Sequence, residues 1–375
     1  MFPSPTSPPT DKVQHKLLGL EALRFLATIA VLLWHYQHFA FVADRPVGLT
    51  TGELPFYGLF FPFYEAGDYG VWVFWCISGF IFFWKYRAVI ADRTIDSRTF
   101  FIYRLSRLYP LHLATLLLVA LLQTLYAAQH GFFFVYQAND VPHFITHLFM
   151  ASNWLPLRIQ SFNGPIWSVS VEVLVYAAFF LMQRFVNPSA LSNLVVGMLA
   201  LRLGNDIGVC LAFFYVGGVA AVARGAVADM RHRRLLEAMA ACAAAMVPLA
   251  LWLLGTKLAS VSGILMLLTT PLLLFCCSGK FALPRRLETL MESAGNMTYS
   301  CYLLHFPIQL TIALAFTALQ LPIPYHDHLF WAAYVLTTLA AARFVYLYFE
   351  APAQRWIRSA LLRKRDARQP IPAPL

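Results

Sequence analysis

The stretch LLGLEALRFLATIAVLLWHYQHFAFV, residues 17–42, is the first long apolar run of the chain. A transmembrane helix needs about 20 mostly apolar residues, so this run is long enough to cross a bilayer. Arg24 and His35 nevertheless lie well inside it. On an ideal helix these two residues differ in direction by only about 20° and are about 16 Å apart along the axis. The run therefore predicts a membrane helix with two polar side chains on one face.

Placing a charge near the middle of a bilayer costs at least about 2.5–3.5 kcal/mol. A helix that carries such a residue usually turns it toward a partner, a cavity or a substrate path. The alternative is that the Arg24 side chain extends to the nearer membrane surface and His35 caps the far end of the helix. The first run alone leaves both interpretations open.

The composition extends this interpretation to the whole chain. Of its 375 residues, 59% are hydrophobic and only 12% are charged, whereas soluble domains carry about 25% charged residues. We therefore predict an all-α, polytopic bundle of about ten transmembrane helices with both termini in the cytoplasm. The predicted spans are residues 17–41, 69–86, 109–128, 165–185, 189–203, 207–224, 236–254, 258–279, 298–319 and 328–349.

The distribution of Lys and Arg supports this orientation. With a cytoplasmic N-terminus, 22 of the 28 Lys and Arg residues lie in cytoplasmic segments and only four on the opposite side. This is the positive-inside pattern, and it accounts for the net charge of +10 without nucleic acid as a partner. The predicted organisation is a disordered tail at 1–16, a membrane domain at 17–355 and a basic cytoplasmic tail at 356–375. The first span is expected to be retained, because no cleavable signal peptide precedes it.

Arg104 and Arg107 form the most informative basic pair. They occur in RTFFIYRLSRLYP, residues 98–110, and their i, i+3 spacing places them on one helical face. Two guanidinium groups on one face suit a ligand with phosphate groups, and coenzyme A carries three of them. The alternative is a basic anchor that contacts lipid headgroups.

Glu172 is the most unusual acidic residue of the chain. It lies about two turns into the fourth predicted span, at a depth comparable with that of His35. A buried carboxylate beside an imidazole raises the pKa of the imidazole or fixes its tautomer. Either effect prepares the histidine for acid–base or nucleophilic catalysis. The alternative is a structural Glu that is hydrogen-bonded to a neighbouring Tyr or Trp.

Several other signals are absent. The six cysteines show no metal-ligand spacing and are expected to be buried apolar residues. The adjacent residues His326, Asp327 and His328 are only a weak metal signal, so no metal is predicted. Phosphate-binding, dinucleotide-binding and serine-hydrolase motifs are not found.

Taken together, residues 17–355 resemble the membrane-bound acyltransferase family 3, which includes bacterial O-antigen and exopolysaccharide O-acetylases. The motifs that carry the resemblance are Arg24 and His35 in LRFLATIAVLLWH, Ser78 and Gly79 in GVWVFWCISGF, Arg104 and Arg107 before Pro110, Trp167, Ser168, Ser170 and Glu172 in WSVSVE, and YSCYLLH from Tyr299 to His305. One departure is Trp72, at a position where the family commonly has an acidic residue.

The resemblance implies a multi-pass protein of the bacterial inner membrane that modifies polysaccharides by O-acetylation. An acyl group, most often acetyl, would pass from cytoplasmic acyl-CoA to a hydroxyl of a glycan or glycolipid, usually beyond the membrane. Acyl-CoA would be a substrate, and no permanently bound cofactor is expected.

The residues can be assigned roles in this scheme. Arg104 and Arg107 would hold the CoA phosphates, and Arg24 would steady the thioester end or stabilise charge at the carbonyl. His35 would be the general base or a transient acyl carrier, oriented or charged by Glu172. Further substrate contacts are assigned to Ser78, Trp167, Tyr302 and His305.

Two other classes of protein fit parts of this pattern. A transporter or glycolipid exporter would also contain several spans and intramembrane charges. It predicts repeated halves, which the sequence does not show, and it does not need the Arg104–Arg107 face. The second class is the other large family of membrane-bound O-acyltransferases, which also has a membrane-buried His. The first-span Arg and His argue against that family.

Overall fold

The computed structural model describes residues 17–154, 159–186, 189–227, 230–254, 262–279 and 283–362. The predicted N-terminal tail, residues 1–16, lies outside these ranges. The predicted C-terminal tail is described only up to residue 362, and its described residues belong to the helix Ala351–Leu362.

Helices dominate the described ranges. They are α1 Leu18–His35, α2 Tyr57–Ala66, α3 Gly70–Ala91, α4 Ser97–His130, α5 Val141–Leu148, α6 Ile166–Leu181, α7 Ala190–Ala200, α8 Asp206–Ala226, α9 Arg233–Leu254, α10 Ser262–Cys277, α11 Arg285–Asn296, α12 Thr298–Ala318, α13 His328–Val345 and α14 Ala351–Leu362. A short antiparallel hairpin pairs β1, Phe41–Val42, with β2, Arg45–Pro46. Two π-helical segments, Met182–Val186 and Tyr346–Glu350, follow α6 and α13.

The prediction of an all-α, polytopic membrane protein is confirmed. Within the described ranges, seven helical segments are long and apolar enough to cross a membrane. They are Leu18–Ala40, Tyr57–Ala91, Ser97–His130, Ile166–Val186, Asp206–Ala226, Thr298–Ala318 and His328–Leu362. The other three predicted spans overlap α7, α9 and α10. Of these, α7 and α10 are shorter apolar helices, and α9 begins with Arg233 and Arg234.

Two of the expected loops are largely helical. The segment expected as a loop at 87–108 is a turn of only a few residues between α3 and α4. Asp96 caps α4 by accepting a hydrogen bond from the Thr99 backbone N–H at 2.8 Å. The helix then continues through Pro110 to His130, so Arg104 and Arg107 lie on one regular helix. The expected outer loop at 42–68 contains the hairpin and α2.

The closest helix packing joins α3 to α8. A Cβ atom on Gly79 would collide with the Phe214 backbone, and one on Gly217 would collide with the Cys76 carbonyl. Small residues at such crossings let two helix backbones approach, which increases van der Waals contact within a bilayer. This crossing fixes α3, which supplies one wall of the site described below.

Candidate active site

A partly open pocket lies among α1, α3, α4, α6 and α12, and its empty space, including the solvent at its mouth, is about 860 Å³. It collects six of the nine residues that the sequence singled out: Arg24, Ser78, Arg104, Arg107, Glu172 and Tyr302. We call this cavity the arginine pocket. His35, His305 and Trp167 are not part of its lining. The remaining lining is mostly apolar or aromatic, so the charges face each other across a surface of low polarity.

Arg104 is held by two aromatic rings. Its guanidinium carbon lies 4.3 Å from the centre of the Phe82 ring and 4.5 Å from the centre of the Tyr86 ring. Each cation–π contact contributes about 0.5–2 kcal/mol, depending on how fully water is excluded. The Arg104 Nε is nevertheless buried without a hydrogen-bond partner among the described residues. The side chain is therefore fixed in place with a donor still unused.

Arg104 and Arg107 are partly buried and have no direct ion-pair partner among the described residues, although Glu172 and Glu350 act on them at longer range. In the part of the chain that the structure describes, neither side chain has a carboxylate within 4.0 Å. Buried charges are usually paired because removing them from water is expensive. Two unpaired guanidinium groups on one wall of a pocket therefore constitute a site for an anion.

Arg24 differs from them because its charge is already balanced. Its Nη1 atom forms a salt bridge of 3.1 Å with Glu21, and its Nη2 atom donates to Thr298 Oγ1 at 3.3 Å. Thr298 in turn donates to the Gly295 carbonyl at 2.8 Å. These contacts tie α1 to the start of α12 and fix one edge of the arginine pocket.

Glu172 lies in the arginine pocket and not beside His35, so the expected pairing of these two residues is wrong. The hydrogen-bonding partners of the carboxylate are the hydroxyls of Ser78 and Tyr176, and its nearest cations are Arg104 and Arg107. The rotation of α6 within the bundle decides this, because it turns Glu172 toward α3 and α4.

A backbone carbonyl, rather than a carboxylate, orients His35. Its Nδ1 lies 2.8 Å from the Val31 carbonyl oxygen, one helical turn earlier. A carbonyl oxygen can only accept, so Nδ1 carries the proton and Nε2 of the neutral ring keeps its lone pair. That tautomer suits a general base that acts through Nε2.

His35 belongs to a group of three imidazoles that we call the histidine cluster. The centre of its ring lies 4.7 Å from that of His305 and 5.0 Å from that of His38. All three residues are at least nine-tenths buried. His35 is therefore buried inside the bundle, and the Arg24 side chain, 11% exposed, lies against Glu21 and Thr298 rather than extending alone as in the alternative interpretation.

Tyr302 connects the arginine pocket with the histidine cluster. Its ring lines the pocket and lies 6.0 Å from the ring of His305. Its hydroxyl donates to the Pro165 carbonyl at 2.8 Å and lies 2.7 Å from Ser168 Oγ. Trp167, by contrast, packs edge-on against Trp75 and supports the wall from behind.

Sequence reasoning missed several polar members of the two sites. Glu21 lies three positions before Arg24 and His38 three positions after His35, so helical spacing pointed to both. Tyr176 lies one turn after Glu172 and offered the same signal. Thr298 and Gln309 reach the sites from the distant helix α12, and no local signal in the sequence points to them.

The weak metal candidate is explained by local structure. Asp327 caps α13 by accepting from the Phe330 N–H at 2.7 Å, His326 lies against the Glu53 carbonyl, and the His328 ring packs on Phe56. In the described ranges, no group of three or more His, Cys, Asp or Glu side chains is arranged to hold a metal ion.

Fold and site together define a polytopic helical membrane protein with a pocket lined by three arginines. The chain belongs to the membrane-bound acyltransferase family 3: the family model described as an acyltransferase domain matches residues 17–347. The family resemblance predicted from the motifs is confirmed.

The chain is also similar to a curated relative, the acyltransferase MdmB of Streptomyces mycarofaciens. The two are 32% identical over 181 residues, which cover 46% of this chain and 40% of the relative. The match thus spans less than half of the relative's length. No solved structure matches the chain.

Proposed function

We propose that this chain is an O-acyltransferase that takes an acyl group, most often acetyl, from acyl-CoA and passes it to a hydroxyl of a glycan or glycolipid. The observation that carries the proposal is the pair of unpaired guanidinium groups, Arg104 and Arg107, in the arginine pocket. Membership of the acyltransferase family supports transfer of an acyl group. The excess of Lys and Arg around Arg104 supports a cytoplasmic donor and an acceptor beyond the bacterial inner membrane.

In this proposal, the position of the donor is determined by the negative charges of the CoA phosphates and the positive charges of the pocket arginines. Arg104 and Arg107 supply charge-assisted hydrogen bonds to the CoA phosphates, which the surrounding apolar wall strengthens by excluding water. The elongated pantetheine arm then extends along the pocket past Ser78 toward Tyr302 and the histidine cluster. Arg24 is held by Glu21 and supports the pocket edge, where it adds positive potential.

The chemical step uses His35. Its Nε2 accepts the proton of the acceptor hydroxyl while the oxygen attacks the thioester carbonyl, so that a C–O bond forms. The C–S bond then breaks, and the CoA thiolate takes up the proton that His35 Nε2 had accepted and leaves as a thiol. Because the Val31 carbonyl holds the Nδ1 proton, the ring returns to the same tautomer after each turnover.

Glu172 has a supporting role in this scheme. It offsets part of the positive potential of Arg104 and Arg107, and it orients the Ser78 and Tyr176 hydroxyls along the path of the donor. Without an acid at this position, the pocket would hold CoA more tightly before and after reaction, which slows product release.

The experiment that tests the proposal measures acyl transfer by the full chain in lipid nanodiscs. Acetyl-CoA labelled in the acetyl group is supplied with extracted glycans and glycolipids, and both free thiol and labelled acceptor are quantified. We expect His35→Ala to abolish transfer and to leave CoA binding intact. The matched control is His326→Ala, an exposed histidine outside both sites.

Three results would contradict the proposal. The first is wild-type protein that neither binds CoA nor releases thiol, which a transporter or exporter would show. The second is transfer by His35→Ala at the wild-type rate, which would remove His35 from the chemical step. The third is an equal loss of transfer in His326→Ala.

A further inference from the structure

His305 Nε2 is buried beside His35 with no hydrogen-bond partner among the described residues. The side chains of His38 and Gln309 interact with each other, but His38 Nδ1 and Gln309 Oε1 complete no hydrogen bond of ordinary geometry there. Leaving a buried polar atom unpaired costs free energy, and native proteins rarely do so without a reason. The presence of such atoms in the histidine cluster is therefore evidence, independent of the imidazoles themselves, for a polar ligand group at this place.

The bonds that these side chains do make define what the unpaired atoms can offer. Gln309 Nε2 donates to the His35 carbonyl at 2.8 Å, so the amide oxygen faces away as an acceptor. The other ring nitrogen of His305 is hydrogen-bonded to the backbone at Cys301 and Tyr302, so its Nε2 is an acceptor in the neutral ring. The His38 ring faces the Gln309 amide, whereas no donor among the described residues reaches His305 Nε2, so a donor from a ligand fits at that atom.

We propose that His305 Nε2, Gln309 Oε1 and His38 Nδ1 form the binding site for an uncharged hydroxyl group of the acceptor beside His35. The inference rests on the proposed function and adds Gln309 and His38 to the residues that position the acceptor. The hydroxyl first donates its hydrogen bond to one of the two acceptors. When it donates to His35 Nε2 instead, its oxygen lies beside the general base.

The surroundings select against an anion. No charge interaction with an Asp, Glu, Lys or Arg side chain is found for the three imidazoles among the described residues, and two acceptor atoms repel a phosphate or carboxylate. The rings around His38 are Phe41, Tyr136 and Phe306 at centroid distances of 5.3, 5.7 and 6.2 Å. These apolar faces suit a neutral hydroxyl on a carbon skeleton, and they keep the phosphate-bearing donor on the side of the arginine pocket.

The test compares Gln309→Leu with wild type, using acetyl-CoA as donor and glycerol, a small neutral polyol, as acceptor. We expect kcat/KM for glycerol to fall about tenfold or more, as the loss of one hydrogen bond at a buried site implies. The affinity for CoA, measured by calorimetry, should stay within about twofold of wild type because the arginine pocket is untouched. Gln309→Glu keeps an acceptor oxygen at the same place and should recover part of the acceptor dependence.

Gln123→Leu is the matched control, since Gln123 is also a buried glutamine but bonds the Phe134 N–H and carbonyl through both ends of its amide. It should leave kcat/KM for glycerol unchanged. The inference is overturned if Gln309→Leu keeps the wild-type glycerol dependence, or if its CoA affinity falls as much as its glycerol kcat/KM. Absence of transfer by the wild-type protein to glycerol and to the extracted glycans and glycolipids alike would instead count against the proposed function, so the two failures are distinguishable.

Discussion

The sharpest prediction concerns Arg104, whose side chain is fixed before any ligand arrives. Its guanidinium lies between the Phe82 and Tyr86 rings, and its Nε has no partner among the described residues. Since the rings already restrict the side chain, little conformational entropy remains to be lost on binding. Most of the interaction free energy with a phosphate should therefore appear as affinity.

The magnitude follows from the hydrogen bond that is lost. Hydrogen bonds to charged groups contribute about 1.5–3 kcal/mol, which corresponds to a factor of roughly 10–150 in Kd. We expect Arg104→Gln to weaken CoA binding by this factor. Arg104→Lys keeps the charge but not the planar fork, so its loss should be smaller, at about three- to tenfold.

The assay is calorimetric titration of the full chain in nanodiscs with CoA and with dephospho-CoA, which lacks one phosphate group. Arg98→Gln is the control, because Arg98 lies on the same helix but is exposed and bonds the Leu361 carbonyl. The two pocket arginines share one ligand, so the effects of Arg104→Gln and Arg107→Gln should not add. The reasoning is refuted if Arg104→Gln changes the Kd of CoA by less than about twofold, or no more than Arg98→Gln does.

Three further predictions address charge balance, helix packing and pH. The substitution Glu172→Gln removes a negative charge near the two arginines, so it should lower the Kd of CoA by a factor of about three to ten. Calorimetric titration measures this Kd, and an unchanged or higher Kd would contradict the prediction. Gly79→Ala should destabilise the fold by about 1–3 kcal/mol or more because the new Cβ meets the Phe214 backbone, whereas Gly58→Ala, which meets nothing, should not lower the melting temperature. Burial lowers the pKa of His147 from 6.5 to about 3. Between pH 6.5 and pH 3 the unfolded chain therefore binds more protons than the folded chain, so the free energy of unfolding should fall by about 1.4 kcal/mol for each pH unit of acidification below 6.5. Thermal unfolding at pH 7 and pH 5 should show this loss in wild type and a smaller one in His147→Gln; an equal loss would refute it.

Local periodicity was sufficient for the features that lie on one helix. The spacing of Arg24 and His35 placed both on one face of α1, and both side chains are buried inside the bundle. The i, i+3 spacing of Arg104 and Arg107 placed both on one face of α4, and both line the same cavity. Helical geometry alone determines such relations, so they can be read without knowledge of the packing.

The partner of Glu172 could not be predicted in the same way. Depth along the membrane was estimated by counting residues, but a contact also requires the rotation of α6 about its axis. That rotation depends on the packing of α6 against α3 and α8, which come from distant parts of the sequence. His35 is instead oriented by the Val31 carbonyl, four residues earlier on its own helix. Helical geometry permits this bond, but the sequence also contains Glu172, which offered a competing partner for the imidazole.

The separation of the two sites has an electrostatic consequence for the proposed reaction. A general base must remain neutral until it takes the proton of the acceptor, and a carboxylate at hydrogen-bonding distance would favour its charged form. The acids Glu21 and Glu172 lie instead with the arginines, where they balance the charge that holds the donor. The histidine cluster, about three turns further along α1, is left with neutral imidazoles, an amide and aromatic rings. Tyr302 touches both sites, so a thioester drawn in by charge at one end reaches an uncharged hydroxyl at the other without bringing its phosphates near the base.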